Sequence, residues 1–217
     1  MADARIPIFP LEVVLFPGSQ IPLHIFEERY RTLINESIES STPFGINFVE
    51  EDRLHAVGCM AHVVQVIERY PDGRLDIVTE GRKRYEVVEF EQNAPDQLSF
   101  ATVRYFEDEP EERDLTLGRE TIGLFNELAE LAYEGSIDPL DIDVWNTTER
   151  QPSFMVAQKS GLEPAQRQAL LPMVSENGRM RILNRVLKQL LPKIKEAETI
   201  QGLIRNDGYL VTWNKLP

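Results

Sequence analysis

The side chains best suited to chemistry in this 217-residue chain stand in the run HAVGCMAH, which holds His55, Cys59 and His62. Zinc requires three or four such ligands converging on one point. The run reads as a strand, and side chains on a strand alternate between faces. His55 and Cys59 then share one face while His62 points to the other, so the three do not converge without a bulge. The expected roles are a structural cysteine and two surface histidines. His24, between Leu23 and Ile25, has no set of neighbours in the sequence that reads as a catalytic triad. Glu107, Asp108, Glu109, Glu111 and Glu112 gather five acids in one short run. They alternate in direction on a connector and lack the glycine-centred spacing of a calcium loop, so they read as solvated charge. No catalytic residue, metal or cofactor is predicted from these groups.

The common catalytic and nucleotide motifs are missing as well. There is no Gly-Lys-Ser/Thr phosphate loop and no Gly-x-Gly-x-x-Gly after a strand. Neither a Gly-x-Ser-x-Gly elbow nor a Ser-x-x-Lys pair occurs, and no His-Glu-x-x-His is present. The chain is read as a binding protein and not as an enzyme.

The first part of the chain is rich in strands. Leu11–Phe16 and Ile21–Ile25 read as short strands joined at Pro17-Gly18, where proline presets one φ and glycine takes the positive φ that follows. Phe26, Tyr30, Leu33, Ile34 and Ile38 fall on one face of a helix. Strands are predicted at 44–49, 57–68, 75–79, 85–90 and 98–106, with Pro71-Asp72-Gly73 a hairpin turn and Gly81 a bend. Many short strands with one early helix predict an α+β chain that opens with a small closed or nearly closed β-domain.

The second part is helical. The run EDEPEERD, residues 107–114, reads as a connector, which places the boundary between residues 1–110 and 111–217. Apolar spacing predicts helices around 122–132, 152–161, 164–171 and 182–194, with Pro152 and Pro164 as openers. Arg179, Arg181, Arg185 and Lys188 decorate the last helix and are expected to face the acidic stretch 107–143.

Charge narrows the partners. The net charge is −13, and residues 107–143 carry 13 acids against 2 bases. Such a surface repels a phosphate backbone, so nucleic acid is not an expected partner. No apolar run approaches the roughly 20 residues that span a bilayer, and no basic-then-apolar leader opens the chain. With a single cysteine, the expected location is the reducing cytoplasm.

The segment IPIFPLEVVLFPGSQIPLHIFEERY resembles the opening of the Lon protease N-terminal domain family. The likeness continues through Val57-Gly58-Cys59, Pro71-Asp72-Gly73 and Val78-Thr79-Glu80-Gly81-Arg82-Lys83-Arg84, and through PSFMVAQKSGLEPAQRQALL in the helical half. The resemblance implies a PUA-like β-barrel-type domain followed by an α-helical bundle, and a role in recognising protein substrates. The ATPase and protease modules of that family are missing, so a freestanding copy of the domain is expected, and proteolysis is not carried over. PUA-like folds include RNA binders, but the −7 net charge of residues 1–106, from 17 acids and 10 bases, opposes that role.

The function read from all this is the capture of apolar or extended segments of protein or peptide clients. The alternatives are an adaptor for a separate protease or ATPase, a hydrolase with distant acids, and an RNA binder. The oligomeric state is left open by the sequence. Tyr105, Trp145, Phe154 and Met155 lie near the predicted junction and are the candidate protein-binding residues.

Overall fold

A computed structural model describes residues 3–91, 93–94, 96–133, 138–141, 143 and 151–207. Its strands are β1 Ala4–Leu11, β2 Gln20–Ile25, β3 Phe44–Glu50, β4 Arg53–Arg69, β5 Leu75–Glu91 and β6 Ser99–Phe106. Its helices are α1 Glu28–Ser40, α2 Leu115–Tyr133, α3 Pro152–Lys159, α4 Pro164–Leu170 and α5 Glu176–Asp207. The strands form one six-stranded mixed sheet in the order β2-β5-β4-β3-β1-β6, in which β1 and β3 run parallel. The chain divides into two compact units, Met1–Glu111 with Arg150–Glu176, and Glu112–Glu149 with Asn177–Pro217.

This architecture corrects the expected PUA-like β-barrel-type domain with one helix followed by an α-helical bundle. The strands lie in one mixed sheet with β2 added at its end, beyond the β5–β6 pairing, so the domain is not the simple barrel with one helix. The physical reason is the length of β5. At 17 residues it pairs with β2 along its first half and with β6 along its second. β2 is thereby left with β5 as its one partner among the described strands. The helices number five among the described residues, and α3 and α4 belong to the same compact unit as the sheet.

Two expected strand limits also moved. The run Leu11–Phe16 is not a strand beyond Leu11. Val14, Leu15 and Phe16 are buried in succession, which the alternation of a one-sided strand does not permit, so an irregular segment carries them. At Gly81 no bend interrupts β5. That glycine is needed for close approach instead: a Cβ there would lie 2.2 Å from the carbonyl oxygen of Phe16. The amide of Gly18 donates to the Gly81 carbonyl at 2.8 Å, and the amide of Gly81 donates to Ser19 at 3.0 Å. The Pro17-Gly18 turn is thus stitched to the middle of β5.

Two apolar clusters form the core of the sheet unit. One places Tyr30, Leu33 and Ile34 of α1 against Phe9, Phe44 and Ile77 of the strands. The other surrounds Tyr85 with Ile6, Ile8, Met60, Ala101 and Val103. Tyr85 is fully buried, and its hydroxyl donates to Oδ1 of Asn47 at 2.5 Å. Nδ2 of Asn47 donates onward to the His55 carbonyl at 2.9 Å, so neither buried polar group is left unsatisfied. Burial holds the Tyr85 phenol well above its ordinary range, which keeps it a donor.

One buried cation ties α3 and α4 to the sheet. Arg84 of β5 is 3% exposed. Its guanidinium donates to the carbonyls of Leu171 at 2.9 Å and Met173 at 2.7 Å, and to Asp108 at 2.5 Å. It also lies over the rings of Phe106 and Phe154 at 4.6 and 5.2 Å. Phe154 stacks in turn on Phe16, with ring centroids 5.2 Å apart. The Leu15-Phe16-Pro17-Gly18 segment therefore packs on α3, whose first turn is fixed by Glu176 accepting from the amide and hydroxyl of Ser153.

In the second unit, α2 and α5 supply complementary faces. Ile122, Phe125 and Leu128 of α2 are buried, as are Met180, Leu183, Leu187 and Leu191 of α5. Asp114 caps α2 by accepting from the Leu117 amide at 3.0 Å. The basic side chains of α5 meet the acids of α2 in part. Lys188 pairs with Glu120 at 2.6 Å and Lys195 pairs with Glu127, while Arg179 is buried and Arg181 and Arg185 face outward.

Replacing Arg84 by Met should lower stability by about 3–5 kcal/mol, because it strands Asp108 and two backbone carbonyls. The neighbouring exposed pair Arg82–Glu80 is the control, and R82M should cost under about 1 kcal/mol. Urea unfolding followed by circular dichroism compares the two; equal midpoints would remove Arg84 from its central role.

Candidate functional site

The feature most suited to binding is an outward sheet face built from β4, β5 and β2. β4 and β5 are each 17 residues long and form an arm closed by Pro71-Asp72-Gly73. Gly73 takes the positive φ of 87° that this turn requires, and Asp72 accepts from the Arg74 amide at 3.2 Å. α1 steadies the tip, since Arg31 donates to the Asp72 carbonyl at 2.6 Å and Arg69 donates to Asn35 at 3.1 Å.

Along the arm the β4–β5 register slips between Val63 and Gln65, and again between Val66 and Glu68. Each slip leaves one extra residue on β4, Val64 and then Ile67. A bulge re-aims its side chains, and both of these aliphatic residues are turned to solvent, at 42% and 55% exposure. Val63 and Val66 stay packed against the α1 cluster. Val64 also lines a groove of about 220 Å³ with Ser37, Ile38, Ser41 and His62.

The face continues onto β2. His24 pairs in register with Asp76, and Nδ1 of His24 lies 2.5 Å from the Asp76 carboxylate. The Tyr70 hydroxyl donates to the other carboxylate oxygen at 2.7 Å. These two contacts, Tyr70 first, hold the Asp76 carboxyl below its ordinary range. Phe26, 61% exposed, stacks on His24 at 6.1 Å between centroids, and Tyr70 meets His24 edge-on at 5.9 Å. His24, Tyr70 and Phe26 thus cluster about Asp76, and Val64 and Ile67 are exposed on β4.

The four sequence candidates fall in different environments. Tyr105 on β6 is half-buried and packs beside the Tyr85 cluster. Phe154 is 1% exposed and locked between Phe16 and Arg84, so it fills a core. Met155, next to it on α3, is 42% exposed. Trp145 lies outside the described residues.

The groups considered first for chemistry have structural roles. Cys59 is fully buried, and burial raises its thiol to about 12. Among the described residues no three His, Cys, Asp or Glu side chains converge as metal ligands. The acid run is more structured than a solvated connector. Asp108 pairs with Arg84, Glu111 accepts from Ser175 at 2.9 Å, and the amide of Glu109 donates to Val174 at 2.9 Å.

A family model for the substrate-binding domain of ATP-dependent protease La (LON) matches residues 5–189. The chain belongs to the Lon substrate-binding domain family. It is a non-catalytic domain of that family, matching the substrate-binding part. The Lon protease of Flavobacterium johnsoniae is 26% identical over 218 residues, covering 93% of this chain and 26% of the relative. The Lon protease of Parabacteroides distasonis is 32% identical over 99 residues, which is 42% of this chain and 12% of the relative. The chain therefore spans about a quarter or less of the curated relatives it matches. In fold it is similar to a Lon N-terminal domain protein from Xanthomonas campestris, with a TM-score of 0.60 and 24% identity over 87% of this chain and 98% of the other. It is likewise similar to the N-terminal domain of the Mycobacterium avium complex Lon protease, with a TM-score of 0.65 and 21% identity over 85% and 98%. Among the described residues no helix is long and apolar enough to cross a membrane.

Helical spacing misses the sheet face of this Lon-family domain. It puts Phe26 on the buried side of a helix, yet α1 begins only at Glu28 and Phe26 precedes it, exposed. The bulges had a visible sign. The run Val63-Val64-Gln65-Val66-Ile67 doubles its aliphatic residues twice, which strict alternation on a strand does not allow.

Two measurements check this assignment of roles. Cys59 should resist a thiol reagent at about pH 8 in the native protein and react fully once urea unfolds it; fast native labelling would refute its burial. Asp76 is ionised more readily folded than unfolded, so its stabilising contribution is present above about pH 4 and fades as pH falls through its lowered folded value. Asp76→Asn should accordingly flatten the acid limb of the stability curve.

Proposed function

We propose that this domain binds polypeptide clients in unfolded or extended form, and that the outward face of β2, β5 and β4 makes the contact. The observation that carries the reading is the pair of bulges that turn Val64 and Ile67 of β4 to solvent, together with exposed Phe26 at the end of β2. Such side chains cost little when scattered singly, but as a shared surface they mark a place for another molecule. Membership of a substrate-binding family supports the same reading.

The client is a protein or peptide. A chain of net charge −13 disfavours nucleic acid, whose phosphates it would repel. The lone, buried Cys59 is at home in the cytoplasm, where we place the protein. Met155 on α3 is a second exposed apolar contact, and buried Phe154 beneath it would act by holding α3 in place.

The test uses one labelled protein in two states, native and permanently unfolded by reduction and alkylation of its disulfides. Fluorescence anisotropy should show binding of the unfolded form only. Phe26→Ser and Ile67→Asp should each weaken it by about tenfold or more, a loss of about 1.4 kcal/mol, while leaving the circular dichroism spectrum intact. Equal affinity for both states, or unaltered binding by the two variants, would defeat the reading.

A further inference from the structure

The client-binding reading leaves open what kind of segment the face selects and by what means. Two features of the face answer this. The first concerns the backbone. Beyond Ala61, β4 pairs with β5 alone and its open edge is broken by the two bulges, and β2, likewise paired with β5 alone, offers the other open strand edge for pairing. Pro22 sits in the middle of its six residues. Proline has no N–H to give a ladder and is a device by which edge strands resist the addition of another strand.

The second feature is charge. Glu68 and Asp76 stand directly opposite each other in the β4–β5 register. Like charges in that position are unfavourable unless something neutral or cationic intervenes. His24 and Tyr70 both engage Asp76. Nearby Arg74 is paired with Asp72, and Arg69 is directed to Asn35. Among the described residues Glu68 is in no ion pair, and the neighbour that acts on it is the neutral Tyr70 hydroxyl. Glu80 farther along β5 is met by Arg82 and Gln20. Near Phe26, then, the face carries two carboxylates, Asp76 and Glu68, next to an exposed aromatic ring, a setting that suits a guanidinium or ammonium group.

Resting on that client-binding reading, we infer that this face takes an extended segment presenting a basic side chain two residues from an aromatic or aliphatic one, and holds it through side chains without strand addition. On an extended segment residues two apart point the same way. The basic group then reaches Glu68 and Asp76 while its apolar neighbours settle on Phe26 and on Ile67, next in sequence to Glu68.

The experiment measures anisotropy of fluorescein-labelled peptides against the full 217-residue chain. The parent peptide carries the core Phe-Ser-Arg-Ser-Leu in a Gly/Ser frame. One variant replaces its arginine with glutamate, and two others are N-methylated on alternate sets of amides. Both methylated peptides should bind within about twofold of the parent, while the glutamate peptide should bind about tenfold more weakly at low salt. Glu68→Gln should narrow that gap without altering the fold. A tenfold loss on methylation would show backbone pairing and overturn the inference, as would equal affinity for the arginine and glutamate peptides. If no peptide binds while the unfolded protein still does, the inference falls and the client-binding reading stands; if neither binds, both fall.

Discussion

A single guanidinium holds the sheet unit together. Arg84 sits in a nearly closed space where an unpaired cation would cost several kcal/mol. Its neighbours must therefore come to it: Asp108 from the acid run, two carbonyls from the end of α4 and the residues after it, and two aromatic rings. Each of those groups belongs to a segment without strand pairing of its own to fix it, apart from Phe106 at the end of β6. The placement of α3, the packing of Phe154 on Phe16, and the path of the acid run out of β6 all follow from the need to satisfy one charge.

β5 is the strand that delivers this charge, and it also supplies the middle of the outward face. Asp76 and Val78 lie toward its start, the stitched Gly81 in between, and Arg84 just beyond. Its first half looks outward beside β2, while its second half leads into the Tyr85 cluster and β6. One long strand thus carries both the surface for contact and the core that keeps the surface rigid. A binding constellation gains precision from such a base, because it stands on paired strands and not on loops.

Much of this organisation was legible in residue types. The Pro17-Gly18 turn, the Pro71-Asp72-Gly73 hairpin and the helices opened by Pro152 and Pro164 all appear where local chemistry demanded them. Local chemistry was silent on three matters. Glycine 81 looks the same whether it bends a strand or admits a neighbouring carbonyl, and only the position of Phe16 decides. An acid run reads as solvated until the buried arginine that claims Asp108 is known, and that arginine is 24 residues away. The simple barrel failed because strand count says nothing about how two partners, β2 and β6, share one side of a long strand. The binding face was half-legible, since the doubled valines of β4 announce bulges, but Phe26 could be placed only once the start of α1 was fixed.

β2 has a further consequence. Held by β5 alone, it has fewer inter-strand hydrogen bonds to break than any strand paired on both sides. Regions with few such bonds open at a lower free energy than the rest of a fold, and amide exchange exposes them first. His24 and Phe26 belong to that strand and the bend after it. One wall of the proposed contact face therefore rests on the least-tied strand of the sheet, away from the Arg84-locked core.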